Sequence, residues 1–258
     1  DGWRASELRQ RALVWIDEAV TRSERRGIHV LTERHTDRAL ELLGDELSPL
    51  AWRLKLARAS ALGHLRRLDA AQSLVAAVAA EASEHAHGPS QARAVLVEGD
   101  LAAKAGQHEE AARLLDEAVR LHHQIGDPAG VANARRLRAL AELQSGRPDD
   151  AVVSLAESRA EFIELGDRRG EAWVLQGLAW LEYSEGQALI AEETLNESVT
   201  LFEELGDNGG LTWARGLLAW IKFHLGERDE AAELGSVVLA DAADRGDRWG
   251  EGMMLALQ

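Results

Sequence analysis

The chain has 258 residues, 46% of them apolar, and its formal net charge at pH 7 is −15. It can bury a substantial core, while its acidity would repel a phosphate backbone, so we expect no nucleic-acid partner. Cysteine is absent, which excludes disulfides and thiol catalysis, and no apolar run reaches the roughly 18 residues of a membrane-spanning helix. We therefore expect a cytoplasmic protein that makes no membrane contact.

The start of the chain predicts irregular helix pairs. Apolar residues recur at three- and four-residue steps over Ala5–Arg25 and Leu31–Leu43, and again over Pro49–Gly63. Trp15 and Trp52 fall within these helices, and we expect both indole rings to lie in the core.

Two series of glycines then divide the chain at a constant interval. Gly-Asp pairs recur every 40 residues, and single glycines fall midway between them. Glycine adopts the left-handed conformation that ends a helix, and the following Asp can cap the next one. The pairs begin at Gly126, Gly166, Gly206 and Gly246, and the midway glycines are Gly106, Gly146, Gly186 and Gly226.

Between these turns the pattern is helical. The segment 111–121 shows the three- and four-residue spacing of an amphipathic helix, and each half-repeat predicts a helix of about 17 residues. Proline occurs only where a new helix would begin, a position that tolerates it. The four prolines are Pro49, Pro89, Pro128 and Pro148. One helix pair cannot bury both of its apolar faces, so successive pairs are expected to stack.

The repeating unit resembles the tetratricopeptide repeat (TPR). In LAWLEYSEGQALIAEETLNESV, residues 178–199, a small residue lies seven positions before the turn glycine and an alanine lies five positions after it. Both small positions recur every 40 residues. The first is held by Gly99, Ala139, Ala179 and Ala219, and the second by Ala111, Ala151, Ala191 and Ala231.

The sequence departs from the usual TPR pattern in two ways. The aromatic residue three positions after the first small residue is absent, and Gly-Asp replaces the proline near the repeat end. The second departure resembles the 40-residue variant of Pins-type scaffolds and of the C-terminal arrays of bacterial ATP-binding regulators. The resemblance implies an all-α TPR-type solenoid of about six antiparallel helix pairs with a truncated final helix. We expect one unit over 1–258, with irregular pairs in 1–87, regular repeats in 88–247 and a partial helix in 248–258.

TPR arrays line their concave face with the first helix of each pair, and the resemblance implies which side chains face this groove. The earlier positions are mixed and polar, whereas the later ones are rich in aromatic residues. The earlier positions are Arg93, Leu96, Asp100, Lys104, Asn133 and Arg136. The later ones are Trp173, Gln176, Trp180, Tyr183, Trp213, Trp220 and Phe223.

Two explanations of the aromatic positions stay open. The rings could anchor a partner, because aromatic side chains and arginine dominate the energetics of interfaces, or they could fill space between successive first helices. The first explanation predicts a non-catalytic module that binds a protein or peptide, as a segment of a larger bacterial regulatory or signalling protein. The alternative is a small-effector sensor domain of a multidomain ATP-binding transcriptional regulator or nucleotide cyclase.

Catalysis and metal binding are not expected. His85 and His87, and the adjacent His122 and His123, lack the spacing that places two ligands on one helix face, and we expect them to be solvated at helix ends. No nucleophile motif or phosphate-binding loop occurs, so no cofactor is implied. A convergent cluster of buried ionisable groups in the groove would argue for an enzyme. The truncated last helix predicts homo-oligomers formed through the C-terminal end.

Overall fold

The computed structural model describes residues 2–245 and 248–255, which contain helices and no strands. The predicted turn at Gly246-Asp247 lies outside the described residues. None of the described helices is long and apolar enough to cross a membrane. The helices are α1 (Gly2–Arg25), α2 (His29–Leu43), α3 (Pro49–His64), α4 (Leu68–Glu84), α5 (Gly88–Lys104), α6 (His108–Gln124), α7 (Pro128–Gln144), α8 (Pro148–Leu165), α9 (Arg168–Ser184), α10 (Ala188–Leu205), α11 (Asn208–Leu225), α12 (Arg228–Arg245) and α13 (Arg248–Leu255).

The turns form where the glycines predict them. Every described glycine of the two series, from residue 106 to residue 226, has a positive φ. Asp127, Asp167 and Asp207 each accept a hydrogen bond from the backbone N–H three residues ahead, which caps the following helix. Two earlier turns lack glycine, so Arg66 and Ala86 hold φ angles of 61° and 50° instead. The predicted all-α array of paired helices is confirmed.

A third glycine series joins consecutive helix pairs. A Cβ on Gly170 would lie 2.2 Å from the Phe162 ring, and a Cβ on Gly210 would lie 2.2 Å from the Phe202 ring. One repeat earlier, the imidazole of His122 takes the place of the phenyl ring. Close ring–backbone contact therefore recurs at the junction between pairs.

His122 differs from the prediction of a solvated helix-end histidine. Its side chain is buried, and its Nδ1 lies 2.9 Å from Oδ2 of Asp127, the cap of the next helix. The prediction was wrong because the junction between pairs covers the last turn of α6.

The odd-numbered helices form the inner layer of the array. Contacts join α3 to α5, α5 to α7, α7 to α9 and α9 to α11, whereas the even-numbered helices contact mainly their neighbours along the chain. Because elements approach one another on the inside of a curve, the odd-numbered helices lie on the concave side. Trp52 of α3 is buried as predicted, with 3% of its surface exposed.

Trp15 is 68% exposed, so its predicted place in the core was wrong. The helix α1 packs mainly against α2 and α3, which leaves one of its faces without a neighbouring helix pair. Trp15 lies on that face, beside a shallow cleft that also contacts Ile28, Leu31 and His35.

The array curves back on itself, because the α1–α2 turn contacts the start of α11. A Cβ on Gly209 would lie 3.0 Å from the backbone nitrogen of Gly27 and 3.1 Å from the carbonyl oxygen of Arg26. From the first turn of α9, Nη2 of Arg169 donates to the carbonyl oxygen of Arg25 at 3.5 Å. The inner layer is thereby closed at this point, which we term the closure contact.

We predict that Ala86→Gly raises the free energy of unfolding by about 1 kcal/mol, because glycine adopts this left-handed turn without a Cβ penalty. Ala105→Gly is the matched control, since Ala105 is also exposed but has a φ of −81°. There glycine should lower the free energy of unfolding by roughly 0.5–1 kcal/mol. Thermal and urea unfolding, followed by circular dichroism, would measure both changes. An Ala86→Gly chain no more stable than the original would contradict the left-handed turn.

Candidate functional site

Charged side chains from four odd-numbered helices converge on the inner face. Glu24 of α1 forms ion pairs with Arg53 of α3 and Arg93 of α5, at 3.5 Å and 3.7 Å. Burial raises the pKa of Glu24 above its ordinary value, while Arg93 and Arg169 act in the opposite direction. We term Glu24, Arg53, Arg93, Arg136 and Arg169 the charged cluster.

Arg169 links the charged cluster to the closure contact. Its Nε donates to Oδ2 of Asp207 at 2.5 Å, and Asp207 is buried at the start of α11. Its Nη2 donates to the backbone of the α1–α2 turn. One guanidinium therefore joins α9, α11 and the first helix pair, as its planar, forked donors allow.

Arg136 of α7 occupies the middle of the inner face. Its Nη2 donates to Oδ1 of Asn133 at 2.9 Å, and its guanidinium carbon lies 5.6 Å from the centre of the Trp173 ring. Burial lowers the pKa of Arg136 to about 10, with Asp100 opposing the shift and Arg169 adding to it. The three side chains thus form one stacked unit on α7 and α9.

An aromatic cluster lies next to the charged cluster, on α9 and α11. The Trp180 and Tyr183 rings are 6.0 Å apart, and the imidazole of His224 lies 5.6 Å from Tyr183 and 4.9 Å from Trp220. Trp180 and Phe223 keep 37% of their surface exposed. The rings of Trp180, Tyr183, Trp220, Phe223 and His224 define this aromatic cluster, which presents apolar surface to solvent.

The sequence-predicted aromatic positions divide between the two explanations. Trp173 packs edge-on against Phe202, with ring centres 5.2 Å apart, and both Trp173 and Tyr183 pack against a buried core cluster. These two rings fill space between helices and also border the groove. Trp180 and Phe223 are the more exposed, so partner contact by these two stays a prediction.

The remaining predicted site residues also lie on the odd-numbered helices. Gln176 donates from Nε2 to the carbonyl oxygen of Gly210 at 3.0 Å, which ties α9 to α11. Trp213 is partly buried in α11. Asn133 and Arg136 are in contact with each other and with Trp173, so the structure brings the polar and aromatic halves of the predicted groove together.

Sequence reasoning missed Glu24, Arg53 and Arg169. Arg53 lies 40 residues before Arg93, so extending the repeat period backwards would have identified it. Arg169 lies one helical turn before the groove positions that the TPR resemblance implies. Glu24 meets the others only because the array curves, and no local pattern marks it.

Known proteins resemble this chain in structure rather than in sequence. No family model and no curated protein matches the sequence. A Rap protein complexed with competence and sporulation factor aligns with a TM-score of 0.72 and 13% identity, over 95% of this chain and 74% of its own. NprR in complex with its cognate peptide NprX gives a TM-score of 0.75 and 15% identity, over 96% of this chain and 72% of its own.

A third similar structure carries the repeat in its description. It is a signal-transduction ATPase of the STAND class with a tetratricopeptide repeat sensor, from Pyrococcus horikoshii. The TM-score is 0.61 at 14% identity, over 97% of this chain and 43% of that protein. The resemblance to the 40-residue variant stays a prediction. The chain has the tetratricopeptide-repeat type of α-solenoid fold that its sequence predicts.

Proposed function

We propose that this chain is a non-catalytic module that binds a peptide or an extended protein segment along its inner face. The observation that carries the proposal is the juxtaposition of the charged cluster with the aromatic cluster on one concave surface. Arginine and aromatic side chains supply most of the binding energy at protein interfaces. A partner lying across α7, α9 and α11 would meet both kinds of group.

Binding explains the charged cluster better than catalysis does. Four of its five members are arginines, which keep their protons near neutral pH and do not serve as general bases. Glu24 is engaged in ion pairs with Arg53 and Arg93. The convergent ionisable groups that would argue for an enzyme are therefore present, but their chemistry favours the recognition of an anion.

Two similar structures support a peptide as the partner. One is described as a complex with a cognate peptide and another as a complex with competence and sporulation factor. Both share the fold over nearly the whole of this chain, and we extend peptide binding to it on that basis together with the groove chemistry.

A small-effector sensor is the second candidate. The STAND ATPase with a tetratricopeptide repeat sensor has the same fold over 97% of this chain, and the closure contact encloses the inner face as a small-molecule pocket requires. Saturable binding of a metabolite with no peptide binding would favour this candidate.

The wider setting stays part of the proposal. We propose a single unit over 1–258, within a larger bacterial regulatory or signalling protein in the cytoplasm. Leu255 of α13 is 57% exposed, which supports association through the C-terminal end. Light scattering across a concentration series would test this association, and a monomer throughout would contradict it.

We predict that replacing Trp180 and Trp220 together by alanine weakens peptide binding at least tenfold, because two anchoring rings are lost. Affinity selection from heptapeptide pools, read by mass spectrometry, would supply ligands, and calorimetry would measure their affinities. Trp15→Ala is the control, since Trp15 is exposed on α1 and does not belong to the aromatic cluster. Unchanged affinity in a folded double variant would remove the aromatic cluster from the site.

We predict that Gly209→Leu opens the closure contact, because the added side chain would overlap the backbone of Arg26 and Gly27. Hydrogen exchange measured by mass spectrometry should then become faster over residues 20–30. Asn208→Leu adds the same side chain one residue earlier, at an exposed position, and should leave exchange unchanged. Equal exchange in both variants would show that the closure contact does not hold the first helix pair.

A further inference from the structure

We propose that the guanidinium of Arg136 seats a carboxylate of the bound peptide, an inference that rests on the proposed function. The carboxylate is either the peptide's C-terminus or an Asp or Glu side chain, since both present the same planar pair of oxygens. The aromatic cluster on α9 and α11 would then hold an apolar residue of the same peptide.

Arg136 is the member of the charged cluster that lacks a counter-ion. Among the side chains that the structure describes, no carboxylate forms an ion pair with it. Asp100 on the preceding odd-numbered helix is engaged with Lys104, whose Nζ lies 2.5 Å from Oδ1. By contrast, Arg53 and Arg93 pair with Glu24, and Arg169 pairs with Asp207. A cation surrounded by protein without a counter-ion is costly, and an anionic ligand removes that cost.

The neighbours of Arg136 hold its guanidinium in place. The hydrogen bond to Asn133 uses one of the five N–H donors of the group, and the ring of Trp173 lies within cation–π distance of it. A planar fork held in this way is prepared to bind both oxygens of a carboxylate. Because the side chain is already ordered, binding costs less conformational entropy.

The local charge favours a single negative charge. Five basic side chains of this region stand against four acidic ones, whereas the whole chain has a formal net charge of −15. The basic ones are Arg53, Arg93, Lys104, Arg136 and Arg169, and the acidic ones are Asp17, Glu24, Asp100 and Asp207. The inner face is thus a local exception that would attract an anion into an otherwise repelling molecule. Nearby carboxylates disfavour a dianion such as phosphate, so a carboxylate fits better.

Three heptapeptide pools of matched composition would test the proposal on the full chain. The first has free C-termini, the second has amidated C-termini but keeps Asp and Glu, and the third is amidated and lacks both acidic residues. We expect selection from the first pool, the second, or both, and none from the third. Enrichment in the first alone identifies the C-terminus as the source, and enrichment in the second identifies a side chain.

For peptides selected in this way, Arg136→Ala should weaken binding by about tenfold to a hundredfold, because a charge-assisted pair is lost. Arg136→Lys, which keeps the charge without the fork, should give an intermediate loss. Arg120→Ala on α6 is the control, since its side chain is 63% exposed and it should bind as the original chain does. Thermal unfolding would confirm that each variant is folded.

The outcomes separate this inference from the proposed function. Equal selection from the third pool, or full affinity in a folded Arg136→Ala chain, would overturn the carboxylate seat while leaving peptide binding intact. Selection from none of the pools would overturn both. The comparison of pools uses the unaltered chain, so it decides the question even if Arg136→Ala fails to fold.

Discussion

Each helix pair in this chain has an apolar face that stays uncovered until the next pair stacks on it, and the geometry of that stacking is set where an aromatic ring meets a glycine. Phe162 against Gly170 and Phe202 against Gly210 leave no room for a Cβ. Burying one such ring contributes roughly 1.5–3 kcal/mol. The contact repeats at equal intervals, so each pair is offset from the last in a similar way and the array curves.

Curvature explains why the inner face acquires its chemistry. Residues on different odd-numbered helices are far apart in sequence, but the concave side brings their tips together. Glu24 thereby reaches Arg93, and Trp173 comes under Arg136. The outer helices need only remain polar, which the acidic composition provides. Recognition is therefore a property of the winding rather than of any single helix.

The sequence predicts those parts of the molecule that depend on local information. Glycine at a helix end and Asp after it act within a few residues, so their turns and caps could be placed from the sequence. Asn133 and Arg136 could be assigned to the groove because the repeat fixes which helical face looks inward. Trp15 could not be placed, because the burial of a ring depends on whether another helix covers it.

The misses in the site have a similar physical origin. Glu24 and Arg169 become neighbours of the groove residues through the path of the whole array, to which no short pattern refers. The ring–glycine series was present at the same 40-residue interval as the turns. Its role is visible only when the close approach of ring and backbone is known, since glycine within a helix is usually a weakness.

The closure contact also bears on how the array resists unfolding. In an open solenoid each repeat touches only its neighbours, so the two ends can fray independently. Here Arg169 reaches the backbone of Arg25, 144 positions away, while the other contacts are largely between successive helices. Fraying of the first pair would release α9 and α11 from a shared neighbour, so the ends of the array lose structure together. The closure contact thus gives a nearest-neighbour polymer some of the cooperativity of a globular domain.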